Sequence, residues 1–564
     1  MRGAAEASAT GALPPLVDIR NLSIGFGGPP IVQGVDLVVR AGECVALVGE
    51  SGSGKSLTAR SLLNLAGAGA TVEAHRFHLQ DRDAKTFGAA DWRRLRGTVT
   101  GLVMQDALVS LDPLRTIGQE VAEVLSEHRL LAGRKAIGAR VLDVLARVGI
   151  PDPEHRASQY AHQLSGGLRQ RALIASAIAG EPDLIIADEP TTSLDVTVQA
   201  QVLQVLAERV RAGAGLLLIS HDLAVVAGIA DWVLVMRHGR VVDSGPTAEV
   251  LTRPRHPYTK GLIAAIPSSA SRGRRLTGAA QAIHWDGGDP RPAPRQEVVL
   301  EVRGIAKHYA GAAGYGRPAF ATKALDDVSF VVKAGEVVGL VGESGSGKST
   351  CAKIVLGLLA PDRGSVRLLG QPWSGIPETQ RRGLRPRLQY VPQDALSSFD
   401  PRYRVSDIIG ENLASHAHAD RAARVVELLE QVGLAADIAA RNPSSLSGGQ
   451  RQRVSIARAL AAEPALIVCD EPVSALDIGI QAQVLDLLAD LRARLGTALL
   501  FISHDLGVIQ HLADRVLVFY RGRLVEQGPV EEILAHPTDA YTKALLASQP
   551  RLELNHAFAS TGVP

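Results

Sequence analysis

Short apolar runs bounded by glycines or charges recur along the chain. Cys44-Val45-Ala46-Leu47-Val48 and Val337-Val338-Gly339-Leu340-Val341 read as buried strands, each followed by a glycine-rich loop. Apolar-rich helices are predicted after those loops, from Leu57 to Leu65 and from Thr350 to Leu359. Leu184-Ile185-Ile186-Ala187 and Leu466-Ile467-Val468-Cys469 are further strands, and each runs into a pair of acids. Glu120 to Val148 and Ser406 to Val432 space their apolar residues helically with charges between, which predicts an inserted helical subdomain. Strands alternating with helical stretches predict an α/β fold with a mostly parallel sheet and helices packed on it. No apolar run of 18 or more residues lacks charges, so the pattern predicts no membrane-spanning helix.

The pattern occurs twice. Gly49-Glu50-Ser51-Gly52-Ser53-Gly54-Lys55-Ser56 recurs letter for letter as Gly342-Glu343-Ser344-Gly345-Ser346-Gly347-Lys348-Ser349. Gln105-Asp106-Ala107-Leu108 matches Gln393-Asp394-Ala395-Leu396, and Leu164-Ser165-Gly166-Gly167 matches Leu446-Ser447-Gly448-Gly449. Asp188-Glu189-Pro190, Ser220-His221-Asp222-Leu223 and Tyr258-Thr259-Lys260 also have counterparts, at Asp470, Ser503 and Tyr541. The period is too long for a solenoid and marks a duplicated domain. The expected boundaries are a tail at 1–16, a first domain at 17–267, a linker at 268–296, a second domain at 297–550 and a tail at 551–564. Ser, Gly, Arg and Pro fill the linker, which reads as a surface connection.

Composition narrows the classes. The chain has 564 residues, 46% hydrophobic and 21% charged, which suits folded globular protein. A net charge of +2 and only 4% aromatics give no case for nucleic-acid binding. Met1 to Pro15 has no charged segment followed by an apolar core, so no secretory leader is expected. Cys44, Cys351 and Cys469 are isolated and read as packing residues, with no disulfide framework or metal cluster.

The repeated eight-residue string has the form G-x-x-x-x-G-K-[ST]. Its glycines let successive N–H groups converge on phosphate oxygens, its lysine adds charge at the β/γ-phosphates, and its serine hydroxyl can ligand Mg²⁺. A helix N-terminus adds its dipole to the same anion site. A buried strand that delivers acids at its C-terminal end places them beside such a loop. Asp188 and Asp470 are candidates to hold Mg²⁺ through water, and Glu189 and Glu471 to polarise the attacking water.

With these motifs together, the chain resembles the ATP-binding-cassette ATPases, with two cassettes fused in tandem. Leu446-Ser447-Gly448-Gly449-Gln450 is similar to that family's signature, and Leu164-Ser165-Gly166-Gly167-Leu168 is a near copy. The resemblance implies ATP and Mg²⁺ as cofactors and two sites, each completed by the signature of the other cassette. The nucleotide-binding residues it implies are Gly49, Ser51, Gly52, Gly54, Lys55 and Ser56 with Ser165 and Gly167, and Gly342, Ser344, Gly345, Gly347, Lys348, Ser349 and Thr350 with Ser447 and Gly449. Gln105 and Gln393 match the lid glutamine that senses Mg²⁺ and the attacking water, so they join Ser56, Ser349, Asp188 and Asp470 around the metal. His221 and His504 match the switch histidine at the γ-phosphate, and Asp195 and Asp477 the loop that couples the sites. Phe26 and Tyr309 are candidates to stack on adenine. The halves depart from each other at Leu57, where the second has Thr350, and at Leu168, where the second has Gln450. Two hydrolytic sites are expected, with Glu189, Glu471, His221 and His504 as their catalytic residues.

The Tyr-Thr-Lys stretches after each cassette, and the residues that follow Gln105 and Gln393, resemble the peptide and nickel importer branch. That resemblance implies an ATP-hydrolysing importer subunit on the cytoplasmic face of the membrane. Its expected partners are two integral-membrane permeases and an extracytoplasmic solute-binding protein. With no cysteine in the extensions, no iron–sulfur cluster is expected. An exporter ATPase and a soluble tandem-cassette protein such as a translation factor are the alternatives. The glycines and prolines of the linker argue against the rigid charged arm of such a factor.

Overall fold

A computed structural model describes residues 14–105, 107–191, 194–278, 297–309, 322–413, 418–474 and 476–549. The chain divides into two compact units. One holds the residues up to Leu194 with Val198–Ile263, and the other holds Asp195–Thr197 with Ala264–Gln549.

The strands of the first unit are β1 (Val17–Gly25), β2 (Val32–Val39), β3 (Cys44–Val48), β4 (Thr71–Glu73), β5 (Arg76–Leu79), β6 (Arg82–Asp83), β7 (Thr100–Val103), β8 (Leu184–Asp188), β9 (Gly215–Ile219), β10 (Trp232–Arg237) and β11 (Arg240–Pro246). Six form a central sheet in the order β11-β10-β3-β9-β8-β7. All neighbours in it are parallel except β11, which turns back against β10. The others form an antiparallel sheet, β2-β1-β5-β6, with β4 also paired to β1.

The central strands are buried on both faces, which is why they read as continuous apolar runs. Alternate residues enter different cores. Val45, Leu47, Leu184, Ile186, Leu217 and Ile219 pack with the antiparallel sheet. Cys44, Ile185, Ala187, Leu216 and Leu218 pack with the helices on the opposite face. The inserted subdomain contributes Ile117–Glu127 and Arg134–Arg147 to that second core through Ile117, Val121, Leu125, Val141, Val144 and Leu145. Thr116 starts the first of these helices with a reciprocal cap to Gln119.

The second unit repeats the plan with β12 (Val298–Tyr309), β13 (Thr322–Lys333), β14 (Val337–Val341), β15 (Arg363–Leu368), β16 (Gln371–Pro372), β17 (Leu388–Val391), β18 (Leu466–Asp470), β19 (Ala498–Ile502), β20 (Arg515–Tyr520) and β21 (Arg523–Pro529). Its central sheet runs β17-β18-β19-β14-β20-β21, the same permutation as in the first unit. In both, the strand before the glycine-rich loop lies next to the strand that ends in Ser-His-Asp, and the strand that ends in Asp-Glu lies one further out. Parallel pairing brings the C-terminal ends of all three to one edge, where open α/β sheets bind ligands.

The segment read as a surface linker begins with ordered contacts inside the second unit. Leu276 is 4% exposed, and the Asp486 carboxylate accepts from the Leu276 and Thr277 amides at 3.0 Å each. Arg275 donates to both oxygens of Asp490, and Ser271 Oγ lies 2.9 Å from His511 Nδ1. The rest of the segment, 279–296, residues 1–13 of the N-terminal tail and the C-terminal tail lie outside the described residues.

Candidate functional site: two phosphate loops and their carboxylates

Each glycine-rich loop follows β3 or β14 and ends in a helix that begins at its own lysine, Lys55–Ser61 or Lys348–Val355. Gly54 and Gly347 are the N-cap residues, in left-handed conformations with φ of 99° and 109°. Gly49 is required for another reason as well. A Cβ there would lie 2.1 Å from the Met236 carbonyl oxygen, and one at Gly342 2.2 Å from that of Phe519. Ser51, Gly52, Ser344 and Gly345 form the turn of each loop between these glycines.

Lys55 and Lys348 are only 6% and 7% exposed. A buried ammonium needs acceptors. Lys55 Nζ donates to the carbonyls of Gly49 (2.7 Å) and Glu50 (2.8 Å), and Lys348 Nζ to those of Gly342 (2.6 Å) and Glu343 (2.8 Å). Burial lowers the Lys348 pKa from its usual value, against the pull of Glu471, Asp195, Asp470 and Glu343.

The acids sit where β8 and β18 end. Ser56 Oγ donates to Asp188 Oδ1 at 2.9 Å. Asp188 Oδ2 is buried without a hydrogen-bond partner, and the Arg60 guanidinium lies 3.8 Å from it. Burial raises the pKa of Asp188 and of Asp470 above the ordinary carboxylate range. A buried carboxylate oxygen without a donor beside a serine hydroxyl fits a divalent cation, a hard ion that takes oxygen ligands. Among the described residues no group of three His, Cys, Asp or Glu could hold a metal alone. Such an ion would therefore draw on hydroxyl, water and phosphate oxygens as well.

Glu189 and Glu471 have left-handed backbones, with φ of 51° and 47°. Their amides donate to the carbonyls of Ile219 and Ile502, which pins the turn. This conformation is unfavourable for a glutamate and persists only where its surroundings impose it. It carries each carboxylate between two other predicted residues. Gln105 Nε2 donates to Glu189 Oε2 at 2.8 Å, and Gln393 Nε2 to Glu471 Oε2 at 3.0 Å. His221 Nδ1 lies 3.5 Å from Glu189 Oε1, and His504 Nδ1 lies 3.3 Å from Glu471 Oε2. Asp222 and Asp505 cap the helices after the histidines, each accepting from two backbone amides, which fixes the Ser-His-Asp turn.

Burial alone would lower both histidine pKa values, but the neighbouring glutamates override it and raise them. Burial would likewise raise Glu471, but His504 and Lys348 outweigh it and hold that carboxyl below its ordinary value. Glu471 is therefore held in its anionic, proton-accepting form.

The signature serines, Ser165 and Ser447, are the N-caps of Gly166–Ile178 and Gly448–Leu460. Ser447 and Gln450 cap each other reciprocally, whereas Ser165, three residues before Leu168, makes no side-chain cap bond. Gly449 allows close helix packing, since a Cβ there would meet Ile480 at 2.3 Å, while one at Gly167 would meet Leu194 at 3.5 Å. Phe26 and Tyr309, at 44% and 42% exposure, present open rings on or beside the antiparallel sheets. Thr350 and Ser349 open the second loop's helix, where the first has Leu57 and Ser56.

Three residues near the sites were not singled out as site residues in the sequence. Tyr390 Oη donates to Asp470 Oδ2 at 3.3 Å. Tyr258 and Tyr541, recognised only as parts of Tyr-Thr-Lys, accept from the amides of Glu50 (3.1 Å) and Glu343 (2.8 Å) in the loops themselves. The duplication of Tyr-Thr-Lys was the one signal available, but nothing local shows where a side chain 208 residues away will reach.

Residues 32–192 and 325–474 match the ABC transporter family. Residues 242–284 and 525–560 match the family described as oligopeptide/dipeptide transporter, C-terminal region. The chain is 40% identical to the oligopeptide transport ATP-binding protein OppD of Mycobacterium tuberculosis, covering 95% of this chain and 98% of that protein. It is 42% identical to the peptidoglycan transport ATP-binding protein YejF of Agrobacterium fabrum, over 96% and 97% of the two chains. It is 39% identical to the glutathione import ATP-binding protein GsiA of Escherichia coli, over 95% and 89%.

Proposed function

The chain belongs to the ABC transporter family, and we propose that it powers uptake of short peptides, or of a related small solute, through separate permease subunits. It is an ABC-type ATPase with two cassettes. The observation that carries the importer reading is the oligopeptide/dipeptide C-terminal region after both cassettes. Relatives named for oligopeptide, peptidoglycan and glutathione transport support it along nearly the whole chain.

Within each cassette the loop amides and Lys55 or Lys348 receive the phosphates of ATP. Asp188 with Ser56 and Gln105, and Asp470 with Ser349 and Gln393, would hold Mg²⁺, which supplies charge neutralisation at the phosphates. Glu189 and Glu471 accept the proton of the attacking water. Gln105 and Gln393 orient those carboxylates, and His221 and His504 face the γ-phosphate from the other side. As the family resemblance implies, Ser447 with Gly449 would offer a hydroxyl and helix-end amides to the phosphate at Lys55, and Ser165 with Gly167 to the phosphate at Lys348.

No helix among the described residues is long and apolar enough to cross a membrane. In this reading two permeases supply the pathway, an extracytoplasmic protein delivers the solute, and the chain sits peripherally on the cytoplasmic face. Val109 and Leu114, close after Gln105, are 78% and 84% exposed. Large apolar side chains held open there suit docking of permease helices.

A strain lacking the gene, and any redundant importer, tests the reading. It should resist toxic peptide analogues and fail to grow on short peptides that supply a required amino acid. Unchanged sensitivity and growth would remove peptide as the solute. Unchanged nickel and glutathione uptake as well would remove import.

A further inference from the structure

The two C-terminal extensions reach the nucleotide loops by different packing but deliver the same atom to the same place. In the first cassette the Asp243 carboxylate accepts from the amides of Arg255 (3.1 Å) and His256 (3.0 Å) and so fixes the start of the helix Pro257–Ala264. The Arg237 guanidinium lies 4.8 Å from the centre of the Tyr258 ring. In the second, Glu526 accepts from the Thr538 amide and hydroxyl, both at 2.8 Å, ahead of the helix Ala540–Ala547. There the Tyr541 ring stacks on Tyr520, with centroids 4.1 Å apart. A cation behind one ring and an aromatic behind the other both end with a tyrosine hydroxyl on the amide of the loop's second residue.

That residue is held from both sides. The Glu50 carbonyl accepts from Lys55 Nζ while its amide donates to Tyr258, and Glu343 is held likewise by Lys348 and Tyr541. The lysine must turn to the phosphates to serve them, which leaves the Ser53 or Ser346 amide on the carbonyl and the tyrosine hydroxyl on the amide as the fixed supports of the loop's entry. We propose that Tyr258 and Tyr541 are positioning residues that preorganise the phosphate loops, so that each C-terminal extension sets how readily its own cassette takes nucleotide. The proposal rests on the reading of these loops as ATP sites.

Tyr258→Phe, Tyr541→Phe and the double variant of the full chain keep the ring and remove only the hydroxyl. Loss of one hydrogen bond predicts a rise of about 3- to 10-fold in the ATP dissociation constant and in KM, with kcat at saturating ATP within about twofold of the parent. Amide exchange at Glu50 and Glu343 should quicken in the corresponding variants. A tyrosine that only packs would tolerate phenylalanine with KM unchanged, and that result overturns the proposal. So does a fall in kcat with KM unmoved. Arg237→Met keeps the hydroxyl but removes its cationic backing, and a smaller rise in KM is expected; it carries the test if a phenylalanine variant fails to fold. A parent chain that binds no ATP would remove the proposed function itself. A parent that binds ATP normally beside unchanged phenylalanine variants would remove this inference alone.

Discussion

The two cassettes share one sheet order and one constellation of Gln, Glu and His, yet they surround the candidate metal carboxylate differently. Asp188 has the Ser56 hydroxyl on one oxygen and Arg60 at 3.8 Å from the other. Asp470 is met instead by the phenol of Tyr390, where the first cassette has Leu102. The signatures differ in the same spirit, with a closed cap at Ser447 and an open one at Ser165. What does not vary is the left-handed glutamate, its glutamine and its histidine. The variation therefore lies around the metal and the helix caps. The groups assigned to the water keep their partners, with Gln105 and His221 on different oxygens of Glu189 and Gln393 and His504 both on Oε2 of Glu471, which favours two turning sites with unequal tuning over one dead site.

The strongest way to break this comparison is to remove the invariant part. Glu189→Gln and Glu471→Gln each keep the shape of the side chain but cannot take a proton. Losing a positioned general base typically slows a reaction by ~10²–10⁴-fold. The double variant should lose steady-state ATP hydrolysis by that factor while retaining ATP binding. Each single variant should lose the turnover of its own cassette. If either single change leaves ATPase activity equal to the parent's, the shared geometry does not report a working site in that cassette.

Much of this geometry was legible in the chain because it is local. The strands Cys44–Val48 and Val337–Val341 have the bounds their apolar runs suggest. The helices after the loops begin two residues earlier than the apolar pattern indicated, because each loop's lysine already belongs to the first turn. The antiparallel sheet was not foreseen. Its short strands, such as Arg76–Leu79 and Thr71–Glu73, find partners only through long-range pairing with β1. The left-handed glutamates were equally hidden, since their φ is imposed by a neighbouring strand's carbonyl and not by their own propensity. The Ser-, Gly- and Arg-rich composition after Ser268 suggested a plain linker. Its first part is ordered by Asp486, a partner 210 residues further along the chain.

The signature caps give the next largest effect. Gln450 supplies one bond of its box, Oε1 accepting from the Ser447 amide, and one such hydrogen bond is worth about 0.5–1.5 kcal/mol of stability. Gln450→Leu should therefore lower the melting temperature of the second cassette by about 2–4 °C per kcal/mol lost. Leu168→Gln should raise that of the first, by supplying the amide side chain that closes the box with Ser165. Differential scanning calorimetry reads both. No gain in the Leu168→Gln variant would mean that something other than the missing glutamine keeps the first cap open.

Tyr390→Phe sharpens the comparison at the metal. It removes the one phenol donor on Asp470, a partner that the first cassette does without. Outer-shell hydrogen bonds hold carboxylate ligands in orientation. In a Glu189→Gln background, where only the second site can turn over, the Mg²⁺ needed for half-maximal hydrolysis should rise about 2- to 10-fold. The same substitution in a Glu471→Gln background should leave the first site's Mg²⁺ dependence alone. A change in both would show that Tyr390 acts through the fold and not through Asp470.

The smallest expected effect is in pH dependence, because burial opposes the pairing in both histidines. His504 has a folded pKa above its ordinary 6.5, so its pairing contributes stability that is fully present below 6.5 and is lost as pH rises through the folded value. Glu471 has a folded pKa below its ordinary 4.5, so its contribution is present above 4.5 and lost as pH falls through the folded value. The pair therefore stabilises the nucleotide-free second cassette most between those two ordinary values. Melting temperatures of the parent and of His504→Gln, measured in EDTA without ATP, should differ most between the two ordinary values and converge as pH rises through the folded pKa of His504. His221→Gln should show the same loss above 6.5, since that histidine is shifted in the same direction by the same kind of neighbour. A difference that grows with rising pH, in either cassette, would mean that the histidine is held neutral and that the Glu–His contact is not an ion pair. Divergence between the two histidines would extend the asymmetry from the metal to the residues assigned to the water.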